Sequence, residues 1–121
     1  MDNLGSLKRS HYSTDLVSAP IGGRVMVMGW VHRRRDLGGL IFIDLRDVKG
    51  NIQIVVRPEA KDIFAKAEKV RNEYVIAVSG SLARRDGANL NRNMPTGELE
   101  IIADEFYVLN DTLPLPIQID G

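Results

Sequence analysis

Cysteine is absent from these 121 residues, so neither a disulfide nor a thiolate site can be built. Two histidines, His11 and His32, cannot make a zinc site alone. No apolar run reaches the length of a membrane span, and the start lacks the charged and apolar segments of a signal peptide. A soluble cytoplasmic protein is therefore the expectation. Net charge is also lacking: 16 basic residues balance 16 acidic ones, which argues against a generic polyanion binder. The length suits one domain with a real core and is too short for an elaborate multi-substrate enzyme.

The neutral total conceals a segregation. All 16 basic residues fall within 1–92, together with 10 acids, for +6, while the remaining 29 residues hold Glu98, Glu100, Asp104, Glu105, Asp111 and Asp120, for −6. Either one part binds a polyanion such as RNA and the other repels it, or a late acidic strand pairs with earlier basic ones.

The most informative stretch is 29–47, Gly-Trp-Val-His-Arg-Arg-Arg-Asp-Leu-Gly-Gly-Leu-Ile-Phe-Ile-Asp-Leu-Arg-Asp, which joins two strand patterns through a basic, glycine-containing loop. In the second strand Ile41, Ile43 and Leu45 alternate with Phe42, Asp44 and Arg46, and a period of two sends these sets to opposite faces. The next run places Ile52, Ile54 and Val56 on one face and Asn51, Gln53 and Val55 on the other. If the intervening turn 47–50 is a four-residue hairpin loop, Arg46 faces Asn51, Asp44 faces Gln53 and Phe42 faces Val55. Phe42 and Gln53 then become diagonal neighbours on the outer face. An aromatic plane beside an amide is what reading an unstacked base needs, one to stack on and one to meet the Watson–Crick edge. Arg33, Arg34 and Arg35 would hold phosphates. The blander alternative is a Phe packed under a loop and an ordinary solvated arginine face.

Along the rest of the chain, 1–10 reads as a frayed tail, and Tyr12, Leu16 and Val17 as a cover for one end of a barrel. The first strand, 24–34, is apolar on both faces, with Val25, Val27 and Val31 on one and Met26, Met28 and Trp30 on the other. Gly29 permits the bend that a closed barrel requires, and Trp30 reads as packing. Pro58 and Glu59 open a helix whose Ile63, Ala67 and Val70 recur at helical spacing, a short plug for an apolar barrel opening. A fourth strand over 74–82 bends at Gly80, and a fifth runs over 98–110. Five strands with one short helix between strands 3 and 4 define an all-β, five-stranded OB-fold barrel. The long loop 83–97, rich in amides and arginines, joins strands 4 and 5, the position from which such barrels reach nucleic acid. Its Asn and Gly residues also suit plain turn geometry. The end, 113–117, reads as an extended connector.

The 29–47 stretch, the Gln53 strand, Arg71-Asn72-Glu73-Tyr74, Asn89-Leu90-Asn91 and Pro95-Thr96-Gly97-Glu98-Leu99-Glu100 together resemble the N-terminal anticodon-binding domain of bacterial-type aspartyl-tRNA synthetases. The likeness covers nearly the whole chain from His11 on. It implies an N-terminal tail and lead-in at 1–20, an OB-fold anticodon-binding domain at 21–111, and at 112–121 the start of a linker to an absent class II catalytic domain. The resemblance further implies a homodimeric, cytoplasmic parent, an aspartate-tRNA ligase that uses ATP and Mg2+. No cofactor is assigned to these residues, which hold none of the class II catalytic motifs, so the 121 residues alone are expected to be inactive in aminoacylation.

Carried over by position, the resemblance makes Phe42 the stacking platform for a tRNA-Asp anticodon base and Gln53 an amide reader, with Arg35, Arg85, Asn89 and Asn91 as further contacts. Leu37 occupies a variable place and would tune reading of the last anticodon base. Ala83 departs from the pattern, which often has arginine there, so one contact is either lost or supplied by Arg84. The rivals are a free-standing OB-fold protein coating single strands and a structural domain supporting a dimer. The first would need several stacking aromatics along a groove, whereas Tyr12, Tyr74 and Phe106 read as packing. The second would need an exposed apolar face.

Overall fold

The computed structural model describes residues 9–85 and 96–110. Within them lie β1 (Arg24–Leu37), β2 (Leu40–Arg46), β3 (Asn51–Val56), α1 (Lys61–Lys69), β4 (Val75–Arg84) and β5 (Leu99–Asn110), with a short 3-10 helix at Ser13–Ser18 ahead of them. The strands close into a barrel in the order β1-β2-β3-β5-β4. All neighbours are antiparallel except β3 and β5. This is the expected OB-fold order, with the one helix between β3 and β4.

Strand alternation sorts the side chains as the sequence pattern requires. Val25, Val27, Val31, Ile41, Ile43, Leu45, Ile52, Ile54 and Val56 form the barrel interior with Ile76, Val78, Leu82, Ile101 and Phe106. Full burial of each large aliphatic side chain is worth roughly 1.5–3 kcal/mol, so the interior dominates stability. Met28, Val75 and Ala77 form a second cluster on the outside, with Met26, Trp30, Tyr107 and Leu109 packed against it. Trp30 is packing, but on the outer wall and not inside the barrel. The β2–β3 register is Phe42 opposite Val55, Asp44 opposite Gln53 and Arg46 opposite Asn51, as derived from a four-residue turn.

Two close approaches shape the barrel. A Cβ on Gly29 would lie 2.1 Å from Arg46 O, and one on Gly80 would lie 2.0 Å from Ile102 O, so no larger residue fits either wall. Gly80 also adjoins an irregularity in the β4–β5 register, and a bulge interrupts β1 between Val31 and Arg33.

Several expectations are corrected. The first strand, expected to end at Arg34 ahead of a basic loop, runs on to Leu37, so Arg35 also belongs to β1. The connection shrinks to Gly38 and Gly39, both at positive φ (+58° and +84°), a two-residue hairpin turn whose backbone follows the strand twist. Leu16 is fully buried in the core, whereas Val17 is 58% exposed. Ser10, expected in the tail, is tied to β1 by its backbone N–H, which donates to Met26 O at 2.9 Å. Helix α1 starts at Lys61, past the expected opening at Pro58 and Glu59; Ala67 and the C-cap residue Val70 are buried and Ile63 packs on the core as predicted, joined by Phe64. Residues 1–8 of the expected tail and the linker assigned to 112–121 lie outside the described residues.

One feature was not anticipated. Asp47, 4% exposed, accepts from Ser13 N (2.7 Å), Ser13 Oγ (2.8 Å), Lys49 N (2.9 Å) and Gly50 N (3.0 Å). It shapes the β2–β3 turn and fastens the 3-10 helix to it, which carries Leu16 into the core.

Candidate nucleic-acid interface

The outer faces of β1, β2, β3 and β5 carry two cross-strand rows. One runs Arg33, Asp44, Gln53, Glu100 and on to Ala83 of β4, and the next runs Arg35, Phe42, Val55, Ile102 and Ser81. Phe42 and Gln53 are therefore diagonal neighbours, with Arg35 directly beside Phe42. Neither Phe42 nor Val55 belongs to the barrel interior.

These groups are connected and largely covered. Arg35 Nη2 donates to Gln53 Oε1 at 3.1 Å and lies 3.8 Å from Asp44 Oδ1, and Gln53 Nε2 donates to Glu100 Oε1 at 3.0 Å. A cation at one end of the amide and a carboxylate at the other fix its orientation. The Arg35 guanidinium carbon sits 5.6 Å from the centroid of the Phe42 ring. Phe42 is 7% exposed and Gln53 1%, so the outward direction derived from alternation holds but outward does not mean solvent-exposed. Arg35 Nε is buried without a hydrogen-bond partner among the described residues.

Arg85 completes the cluster. Its Nε donates to Leu99 O at 2.8 Å. Burial pushes its guanidinium pKa down, Asp44 and Glu100 oppose that shift, and Arg35 adds to it, so all four charges share one field. Arg33 is exposed at the edge of the same face, and Leu37 is 50% exposed at the tip of β1 beside the two-glycine turn. The face thus gathers Arg33, Arg35, Phe42, Gln53 and Arg85, while Asn89 and Asn91 lie outside the described residues.

Ala83 stands opposite Glu100, and alternation turns Arg84 to the other side of β4. Arg84 is therefore not the substitute for an arginine at Ala83; Arg85, two residues on, is the one whose charge reaches Glu100. Glu100 and Asp44 were missed as site residues. Asp44 was legible from the β2 alternation, whereas Glu100 joins Gln53 only through the parallel β3–β5 pairing, which no local pattern reveals. The charge segregation resolves likewise: Arg24 pairs with Asp104 (2.5 Å) and Glu105 (3.3 Å), so the late acidic strand lies against an early basic residue.

A family model described as the tRNA anti-codon OB-fold nucleic acid binding domain matches residues 25–109. The chain belongs to that family. This OB-fold domain is 51% identical over 120 residues to the aspartate-tRNA(Asp/Asn) ligase of Moorella thermoacetica, covering 99% of this chain and 20% of that protein. It is 52% identical over 113 residues to the ligase of the same name from Endomicrobium trichonymphae, covering 93% and 19%. The chain spans about one fifth of the length of these curated relatives. In fold it is similar to asparaginyl-tRNA synthetase from Pyrococcus horikoshii complexed with asparaginyl-adenylate, with a TM-score of 0.73 at 24% identity, over 94% of this chain and 25% of that one. Among the described residues no helix is long and apolar enough to cross a membrane, and no group of three or more His, Asp or Glu side chains could hold a metal ion.

Proposed function

We propose that this OB-fold domain reads the anticodon loop of tRNA-Asp as the N-terminal part of an aspartate-tRNA ligase. The observation that carries this reading is the contiguous set Arg35, Phe42, Gln53 and Glu100 on one outer face, joined by direct contacts. Phe42 is the platform for one unstacked base, Gln53 meets a base edge, and Arg33, Arg35 and Arg85 supply positive charge for the loop backbone. Asn89 and Asn91, in the β4–β5 connection, are proposed as further contacts. Leu37, at the hairpin tip, tunes the reading of the last base.

In the free protein Arg35 lies on the Phe42 ring and holds Gln53 Oε1. Moving Arg35 aside therefore does two things together: it uncovers the stacking face and frees one amide oxygen. Its guanidinium is then available to a phosphate or to the exposed face of the stacked base. Gln53 remains anchored through Glu100, so the amide keeps its position while it changes partners.

The parent enzyme is proposed to activate aspartate with ATP and Mg2+ in a class II domain beyond these residues, as a cytoplasmic homodimer. Binding of anticodon stem-loops that differ only in the three anticodon bases tests the reading directly. We expect the aspartate anticodon to bind tightest; equal binding of all loops would favour a sequence-indifferent single-strand binder. Against that second reading stands the scarcity of platforms, since Phe42 is the only aromatic in the two outer-face rows.

A further inference from the structure

A second basic feature lies off the base-reading face. Alternation puts Arg34, opposite Ile43, on the other side of β1 from Arg33 and Arg35. There its Nη1 donates to Ala67 O at 3.2 Å and to Glu68 O, carbonyls at the C-terminal end of α1. The guanidinium thus offsets the negative helix end, which would otherwise repel an anion. Beside it opens a cleft of about 770 Å³ lined by Arg34, Glu68, Lys69, Arg71, Asn72 and Tyr74.

The turn that carries Arg71 and Asn72 is fastened to β1. Glu73 N–H donates to Val31 O (2.6 Å), Val31 N–H to Tyr74 O (2.8 Å) and Tyr74 N–H to Arg71 O (3.2 Å). Glu73 is held at φ +78°, a conformation a non-glycine residue keeps only where its surroundings impose it. Arg71, in this turn, and Lys69, in the last turn of α1, are exposed and outside every ion pair found among the described residues. Arg34 is committed to the helix end and lies 3.8 Å from Asp36, so the positive charge the cleft offers is that of Lys69 and Arg71.

We propose that this cleft is a phosphodiester site that takes the RNA backbone flanking the loop, a contact set by charge and indifferent to base. The proposal rests on the anticodon reading for its ligand. A cleft open to solvent and lined mostly by polar and charged side chains, with Val70 and Tyr74 as its apolar contributors, suits a backbone better than a small molecule. Arg34 lies between Arg33 and Arg35 in β1, so the cleft begins on the opposite side of the strand that carries the base-reading arginines.

The test is the salt dependence of binding by the 121-residue chain carrying Lys69→Gln and Arg71→Gln together. The probes are an anticodon stem-loop and a single-stranded heptamer of the loop sequence alone. For the stem-loop, the slope of log K against log salt should fall in magnitude by about 1.8, from two contacts of about 0.9 each. The heptamer slope, the preference among anticodons and the thermal midpoint should not change. An unchanged stem-loop slope overturns the proposal, and an equal fall with the heptamer overturns the assignment to flanking backbone. Phe42→Ala run alongside separates the two readings. If it weakens binding while the double variant does not, only the cleft reading fails; if the reverse holds, the anticodon reading fails and the cleft stands as an RNA contact.

Discussion

Replacing Phe42 with Ala perturbs folding and binding by separable amounts. Phe42 faces outward yet is only 7% exposed, covered in part by Arg35. Phe to Ala in a closed core costs about 3–5 kcal/mol, because part of that cost is a cavity that cannot collapse. On an outer face the Arg35 side chain can settle and water can enter, which leaves mainly the transfer contribution of about 1.5–3 kcal/mol. An outward position taken alone predicts almost no stability loss, so this figure revises that expectation. With a total stability of about 5–15 kcal/mol, the variant stays overwhelmingly folded. Loss of the stacking contact should then weaken RNA binding by about 1–3 kcal/mol, roughly 5-fold to 150-fold. Urea unfolding measures the first quantity, and fluorescence anisotropy with a labelled anticodon stem-loop, under conditions where the variant is folded, measures the second. Phe42→Leu serves as the control, since it keeps most of the apolar volume but offers no ring. It should recover most of the stability and little of the affinity. Binding within 2-fold of the parent by a folded Phe42→Ala would refute the stacking role.

Gln53→Ala should narrow the difference in affinity between cognate and altered anticodons more than it weakens binding to all of them, since an amide at a base edge acts chiefly through discrimination; uniform weakening in the same anisotropy assay would assign Gln53 to holding Arg35 and Glu100. Asp47→Ala removes an acceptor of four hydrogen bonds and should lower stability by about 2–4 kcal/mol without changing anticodon preference, and an unchanged urea midpoint would contradict its fastening role. Gly80→Ala places a Cβ against Ile102 O and should cost about 1–3 kcal/mol in thermal or urea unfolding, whereas a neutral result would mean that the β4–β5 wall gives way there.

Alternation and turn chemistry, which are local, sufficed for the interior set of β2 and β3, the Phe42–Val55 register and the plug helix. They sufficed because a period of two leaves one choice of buried face, and a slip of one residue would have turned Ile41, Ile43 and Leu45 to the outside. The resemblance carried by 29–47 and the later segments is likewise a property of the sequence, and the OB-fold order follows from five strand patterns and one helix. What depended on tertiary structure involves groups far apart in sequence. Glu100 reaches Gln53 across 47 residues through a parallel pairing, and Asp47 binds Ser13 across 34. Arg34 finds the end of α1 only because barrel closure brings the last turn of that helix within reach of its side chain. Exposure was the other quantity that local pattern could not supply. Alternation says which way Phe42 points, but how much water reaches it depends on neighbouring side chains such as Arg35, and a side chain's resting place is set by contacts that exist only in the folded barrel.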